Sequence, residues 1–447
     1  MAQETIYALS TARGKSGVAV VRVSGKFAFD VFKKMTNLDL QKILPRKAYL
    51  SKLYGVQSKE LLDNVLLIYF KAPHSFTGED VVEIHAHGSK AVLNSILENL
   101  ALIDSFRLTE AGEFSKRAFY NQKMDLTEAE GLADLIDAET YFQQKQALKQ
   151  LSGNLRVLYS NWRAKLLEIL AHLEAYIDFP DENIPDRAVS EILQGVSNLK
   201  AEIEGHLRSS RAGERLREGF RVVLTGAVNA GKSSLLNAII ERQAVIVSDV
   251  AGTTRDAVDV YLDISGYPVI LTDTAGLRQA QDEIEKQGIE ISKQKISDAD
   301  LVLAVFDASI DTPDCVLRTL SKHKNKTFLV ANKADKLRRE RCSELLKENC
   351  IVLSAKTKEG LPLLFSKIKN FLEQNISTPE NAVITRARYR ESLSECVKNL
   401  SNFNLNKEIE LSAEDIRLAA RAIGKITGEI EVGEILDKIF SSFCIGK

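Results

Sequence analysis

Between Phe220 and Ile240 the sequence passes from an apolar run, through a turn bounded by glycines, into a helical pattern. Phe220-Arg221-Val222-Val223-Leu224-Thr225 is short and apolar enough for a buried strand. The turn Gly226-Ala227-Val228-Asn229-Ala230-Gly231-Lys232-Ser233 fits G-x-x-x-x-G-K-[ST], and Ser234-Leu235-Leu236-Asn237-Ala238-Ile239-Ile240 continues as a helix. Such a turn lets backbone N–H groups converge on phosphate oxygens, while Lys232 supplies positive charge and the Ser233 hydroxyl can ligate Mg²⁺. Chance glycines in a turn are the bland alternative. The strand before and the helix after argue against it.

Three further motifs follow in order, each after an apolar run that reads as a strand. Asp273-Thr274-Ala275-Gly276 follows Val269-Ile270-Leu271, so Asp273 sits at a strand end where a carboxylate can hold Mg²⁺ through water. Asn332-Lys333-Ala334-Asp335 closes Phe328-Leu329-Val330-Ala331, and Ser354-Ala355-Lys356 closes Ile351-Val352-Leu353. A carboxylate at Asp335 can accept from both N1–H and the exocyclic amine of guanine, a pair that adenine lacks. Together the motifs imply a guanine-nucleotide-binding α/β domain with a mostly parallel sheet. GTP would be held by Asn229, Ala230, Gly231, Lys232, Ser233 and Ser234, by Asp273, Thr274, Ala275 and Gly276, and by Asn332, Lys333, Asp335, Ser354, Ala355 and Lys356.

That domain fills only part of a chain of 447 residues, for which two to three domains are expected. A formal net charge of −1 gives no overall basic field for nucleic acid, although a basic patch fits within a neutral total. The five cysteines are odd in number and scattered without CxxC spacing, the usage of a reducing, cytoplasmic setting. No secretory pattern opens the sequence, and no run approaches the ~18 apolar residues of a membrane span.

Residues 4–25 read as a strand, a glycine turn and a second strand. Strand patterns recur from Asn64 to Phe70 and from Val81 to His87, with a helix from Ala91 to Leu102, forming an α+β unit over residues 1–120. From Leu126 the pattern turns helical, with Thr127 as expected N-cap and Glu130 at N3. A long periodic stretch runs from Phe142 to Ile177, and another helix from Val189 to Arg211. Segments near Ala382–Asn402, Ser412–Ile423 and Glu429–Phe440 close the chain. Helices on both sides of the nucleotide domain (216–376) suggest that it is inserted into a helical domain formed by residues 121–215 and 377–447.

Local sequences then point to a family. Phe76-Thr77-Gly78-Glu79-Asp80-Val81-Val82-Glu83, His87-Gly88, Gly112-Glu113-Phe114-Ser115-Lys116-Arg117-Ala118-Phe119, Lys123-Met124-Asp125-Leu126, Ala251-Gly252-Thr253-Thr254-Arg255-Asp256 and the terminal Phe443-Cys444-Ile445-Gly446-Lys447 are its motifs. With the domain order, they resemble the MnmE (TrmE) family of tRNA-modification GTPases from end to end. Arg13 and Val228 stand where that family commonly has proline, a change of loop stiffness that removes no chemical group. The resemblance implies a homodimer formed through the N-terminal domain, working with the flavin-dependent protein MnmG (GidA). It implies modification of C5 of the wobble uridine of certain tRNAs with a one-carbon unit from 5-formyl- or methylene-tetrahydrofolate, coupled to GTP hydrolysis.

The same resemblance assigns residues. Mg²⁺ falls to Ser233 and Thr254, and K⁺ to Asn229 with the segment Ser248, Asp249, Val250, Ala251, Gly252 and Thr253, where it would offset charge as an arginine does elsewhere; that segment and Thr254 would also bind GTP. Leu277 follows Gly276 where Ras-like enzymes carry the water-orienting glutamine, and the family moves that task to a glutamate, here Glu285. Read alone, Glu285 is equally a first-turn helix carboxylate. Folate falls to Arg22, Glu83, Lys123 and Lys447. On their residues alone Arg22 and Glu83 are strand salt-bridge partners and Lys123 a turn lysine. Cys444 is either part of the modification chemistry or a buried thiol, and its four-residue tail does not fit a prenylation signal. His85 and His87 share a strand face without a third metal ligand and read as structural. A ribosome-assembly GTPase of the Era type is the alternative function, and a further reading makes residues 1–120 a dimerisation module only.

Overall fold

A computed structural model describes residues 4–178, 186–208, 210–242, 259–273, 293–313, 320–375, 383–430, 433–441, 443, 445 and 446. The chain divides into two compact units, one of residues 1–133, 155–164 and 421–447, the other of residues 134–154 and 165–420.

The first unit is built on a six-stranded sheet of β1 (Thr5–Leu9), β2 (Ser16–Ser24), β3 (Ala48–Tyr54), β4 (Leu61–Phe70), β5 (Val81–Gly88) and β6 (Phe106–Leu108), in the order β3-β4-β5-β2-β1-β6. All neighbours are antiparallel except β1 and β6. Period-two alternation in β2 and β5 turns Val21, Val23, Val82 and Ile84 into a fully buried face under α1 (Asp30–Met35) and α2 (Lys90–Ala101). Ser89 caps α2, its hydroxyl accepting from the Val92 N–H at 3.2 Å. The sequence reading had no β3, whose half-exposed edge pattern carries little hydrophobic signal.

Beyond the sheet lie α3 (Glu113–Tyr120) and α4 (Leu126–Ile136). The expected cap of α4 is corrected by two residues. Asp125 Oδ1 accepts from the Glu128 N–H at 2.8 Å, and Glu128 Oε2 accepts from the Asp125 N–H at 2.7 Å. Asp125 is therefore the N-cap and Glu128 its reciprocal partner, while Thr127 donates its hydroxyl to Asp125. Leu126 and Ala129 pack against Phe440 and Phe443 at the chain's far end, and Ile445 bridges to Ala111 in antiparallel fashion.

The long periodic stretch Phe142–Ile177 is two helices, α5 (Tyr141–Leu151) of the second unit and α6 (Asn154–Asp178), whose residues are divided between the units. Gly153, at φ +83°, supplies the left-handed residue that ends α5. Next come α7 (Asp186–Arg208) and α8 (Ser210–Glu218). A second six-stranded sheet then uses β7 (Phe220–Thr225), β8 (Asp259–Ile264), β9 (Tyr267–Asp273), β10 (Leu301–Asp307), β11 (Thr327–Asn332) and β12 (Ile351–Val352), in the order β12-β11-β10-β7-β9-β8. Only the β8–β9 pair is antiparallel. Near-continuous apolar strands such as β10, buried at every position, suit a sheet covered on both faces. The covering helices include α9 (Lys232–Ile240), α10 (Arg339–Lys347) and α11 (Leu361–Asn375), and α12 (Ala387–Asn402), α13 (Ile409–Thr427) and α14 (Gly433–Ser441) follow in the chain.

The tip of the β8–β9 hairpin is seated on the first turn of α5. Ser265 and Gly266 turn through positive φ, the Phe142 N–H donates to Gly266 O at 3.1 Å, and the Phe142 ring stacks on Tyr267 with centroids 4.1 Å apart. The hairpin joins the segment that ends in the Thr253-Thr254 pair to the strand that ends in Asp273. Replacing Phe142 by Ala should cost about 2 kcal/mol by loss of the stacked, half-buried ring, and Phe142→Leu about half of that. Thermal unfolding followed by near-ultraviolet dichroism checks this. An unchanged midpoint in Phe142→Ala would show that the hairpin tip stands without the ring.

Candidate functional site

In the second unit the carboxyl ends of β7, β9, β10 and β11 meet at one edge of the sheet, where the chain order reverses across β7 and ligands bind in open α/β sheets. The turn after β7 hugs its neighbours so closely that two glycines are obligatory. A Cβ on Gly226 (φ +146°) would stand 1.9 Å from Val305 O, and one on Gly231 (φ +89°) would stand 2.3 Å from Asn332 Nδ2. Gly231 also forms the N-cap of α9, so the positive end of the helix faces the turn.

Lys232 is buried and donates to Gly226 O at 2.9 Å and Ala227 O at 2.7 Å, which folds its ammonium over the loop. Ser233 and Ser234 are exposed on the first turn of α9, and the Ser233 hydroxyl donates to Asp273 Oδ2 at 3.3 Å. A hydroxyl and a carboxylate at that spacing are an oxygen-only pair suited to a small hard cation, so the residues fit Mg²⁺. There Ser233 would bind the ion and Asp273 orient its water, and the ion would offset phosphate charge. Asn229 projects from the same loop, exposed and at φ +64°.

The base side is set by Asn332, which was expected only as one member of its motif. Its amide Nδ2 donates to Ala230 O at 2.9 Å, while its Oδ1 accepts from the Ala355 N–H at 3.0 Å. One buried carboxamide thus ties the phosphate loop to the Ser354-Ala355-Lys356 loop. Asp335 is exposed, and its Oδ1 accepts from the Ser354 hydroxyl at 2.6 Å. Chiefly through that hydroxyl, its carboxyl is held below the usual range. Ser354 is itself fixed by the Thr357 N–H at 3.2 Å, and Lys356 is exposed beside it. The aspartate is therefore aimed and ionised before any ligand arrives. Among the expected site residues, Ser248, Asp249, Val250, Ala251, Gly252, Thr253, Thr254, Thr274, Ala275, Gly276, Glu285, Cys444 and Lys447 lie outside the described residues.

The first unit holds the other cluster. Arg22 and Glu83 face each other across β2 and β5, with Arg22 Nη2 2.9 Å and Nε 3.2 Å from Glu83 Oε1. The Arg22 guanidinium lies 5.2 Å from the Phe76 ring centre and 5.7 Å from that of Phe114. The strand salt bridge read from the residues alone is present. Lys123 donates to Pro73 O at 3.0 Å and borders the Gly78 turn that carries Phe76. Behind this cluster, Glu113 accepts from Arg107 at 2.6 Å and from Arg117 at 3.0 Å, and Arg117 reaches on to Glu79 at 3.0 Å. Burial would raise the Glu113 carboxyl, but these donors hold it at about 2. The sequence reading quoted Glu79, Glu113 and Arg117 only within motifs; that Arg117 joins Glu113 to Glu79, 38 residues away, is seen only in the structure. His85 lies 3.4 Å from Glu83 Oε2, and His87 pairs with Asp63 at 2.8 Å. Among the described residues no three potential metal ligands gather, and no helix is long and apolar enough to cross a membrane.

Asp335→Asn should weaken guanine nucleotide binding by on the order of 100-fold and turn preference toward a xanthine base, whose carbonyl pairs with the new amide. A competition assay between the two nucleotides checks this. Unchanged guanine preference would remove Asp335 from base reading.

Comparison with known proteins covers the chain from end to end. Residues 126–444 match the family described as the MnmE helical domain, and residues 5–123 match that described as the GTP-binding protein TrmE N-terminus. The tRNA modification GTPase MnmE of Rickettsia akari is 44% identical over 446 residues, covering 99% of this chain and 100% of its own length. That of Paramagnetospirillum magneticum is 46% identical over 444 residues, with coverage of 99% and 100%. End-to-end likeness of this kind includes the N-terminal domain that the Era-type alternative lacks. With both family models matched in order and full-length relatives at 44% and 46% identity, the assignment follows: the chain belongs to the MnmE family of tRNA-modification GTPases.

Proposed function

We propose that this protein is a K⁺-activated GTPase that, with the flavoprotein MnmG, modifies C5 of the wobble uridine of certain tRNAs using a tetrahydrofolate one-carbon unit. In this reading residues 1–120 bind folate and form the homodimer, residues 216–376 hydrolyse GTP, and residues 121–215 with 377–447 form the helical domain. The observation that carries the folate half is the Arg22–Glu83 pair between Phe76 and Phe114. A pterin presents a donor–acceptor edge that a carboxylate can accept from bidentately, and aromatic walls beside a cation suit a flat, electron-rich ring. Lys123 and Lys447 are the cations offered to the glutamate tail.

For hydrolysis, Mg²⁺ falls to Ser233 and Thr254, and K⁺ to Asn229, Ser248, Val250 and Thr253. Leu277 carries no hydrogen-bonding group, so the attacking water is assigned to Glu285. Cys444 is reserved for the modification chemistry. The reading of residues 1–120 as a dimerisation module alone predicts no folate binding.

Titration of the full-length protein with 5-formyltetrahydrofolate should show binding that Arg22→Ala and Glu83→Gln each weaken by at least about 30-fold, as for loss of a charge-assisted pair. No heat of binding in the parental protein would leave the dimerisation reading standing. GTP hydrolysis should fall sharply when Na⁺ replaces K⁺, and Asn229→Ala should erase that difference while nucleotide still binds. Glu285→Ala should lower kcat by a factor on the order of 10²–10⁴ with GTP affinity nearly intact. Parental turnover in that variant would send the water-positioning role elsewhere. Mass analysis of wobble uridines from cells lacking the protein tests the RNA half directly.

A further inference from the structure

Lys333 occupies a backbone position that an ordinary side chain rarely adopts, at φ +63° and ψ +37°. The turn is held by a hydrogen bond from the Lys336 N–H to Lys333 O at 3.0 Å and by one from the Ala308 N–H to Asn332 O at 3.0 Å. The effect is to send the lysine side chain back over the phosphate loop. A Cβ on Gly231 would meet Lys333 Cε at 4.0 Å, so the stem passes across the glycine that opens α9. Its ammonium is then gripped by Asp307, Nζ to Oδ2 at 2.6 Å.

Asp307 belongs to none of the nucleotide motifs. It ends β10 as the register partner of Asn332, and only 6% of it is exposed. Its other oxygen, Oδ1, accepts from the Ser309 N–H at 3.0 Å and from the Ser309 hydroxyl at 2.6 Å. Both oxygens are occupied, so the carboxylate has one direction to point in. Burial would raise this acid, but the donors from Lys333 and Ser309 outweigh it and keep it ionised, at about 2. The lysine is therefore held by an ionised partner.

We propose that Asp307 is a positioning residue for guanine-nucleotide retention: by fixing Lys333 across Gly231 it braces the Asn332–Asp335 turn, which reads the base, against the loop that holds the phosphates. Asn332 makes the same connection through its amide, so the turn is pinned at two consecutive residues. Loss of the Asp307 anchor frees the lysine stem and lets the base side and the phosphate side of the nucleotide detach separately.

The test uses the full-length protein loaded with a fluorescent GDP analogue and chased with excess GDP. Asp307→Asn should release the analogue roughly 5- to 20-fold faster, the scale of one buried charge-assisted hydrogen bond. Ser309→Ala, a gentler change that loosens the aim of the carboxylate and keeps its charge, should accelerate release by about 2- to 5-fold on the same scale. Lys333→Met should also release faster, and the double variant Asp307→Asn/Lys333→Met should be no faster than Lys333→Met alone, because the two residues act as one anchor. A general loosening of the fold would instead add the two effects, and that additivity would overturn the proposal. So would parental release rates in both Asp307→Asn and Ser309→Ala. If Asp307→Asn does not fold, the Ser309→Ala rate and its coupling to Lys333→Met decide the matter in the same way.

Discussion

The nucleotide site depends on the carboxamide of Asn332. A buried amide must satisfy both its donor and its acceptor, and here the donor goes to Ala230 O and the acceptor to the Ala355 N–H. Three loops that are distant in sequence are thereby held at fixed separation, at the carboxyl ends of strands that the parallel sheet already brings side by side. The consequence reaches the glycine pattern. Gly231 cannot carry a side chain because Asn332 occupies that space, so the second glycine of the phosphate loop and the asparagine of the base-reading motif are one constraint seen from two positions.

The first unit solves a different problem, that of holding a charged cluster beneath aromatic rings. Arg22 and Glu83 are cross-strand partners, so their approach is set by register and not by loop conformation. The charges behind them are satisfied in series, Arg107 to Glu113 to Arg117 to Glu79, and Glu79 in turn accepts from the Ser24 hydroxyl at 2.8 Å. Glu113, the buried member, keeps a second arginine if either one is lost, and Arg107 also pairs with Glu4, so the charges support one another as a network. The loop that carries Phe76 is held in this way from below, by Asn121 donating to Thr77 O at 2.7 Å and by Thr77 bonded to Ser24 at the same distance.

In the second unit the hairpin of β8 and β9 links chemistry to architecture. One of its strands ends at Asp273, beside Ser233, and its tip rests on Phe142 at the start of α5. Because β9 also pairs with β7, the Asp273 end and the Phe142 end of the hairpin belong to one continuous sheet.

Much of this was legible in the chain. The phosphate loop and the three strand-end motifs depend on local chemistry, on glycines that permit positive φ, an ammonium, a hydroxyl and carboxylates at fixed offsets, and each came out at a strand's carboxyl end as expected. Periodicity located β2, β5 and α2. Where local signals were weak or ambiguous the reading failed: β3 is an exposed edge, Gly153 splits a pattern that is apolar on both sides, and Asp125 outbids Thr127 as a cap because its carboxylate reaches the Glu128 N–H. What no window of sequence contains is the closeness of residues far apart in the chain. Asp307 and Lys333, Asn332 and Ala230, and Arg117 with Glu79 meet only because the tertiary fold brings them together. The sequence by itself determined which groups are available for phosphate, base and cation. The tertiary structure alone decided which of them are buried, paired and aimed, because desolvation and hydrogen-bond geometry are properties of neighbours in space.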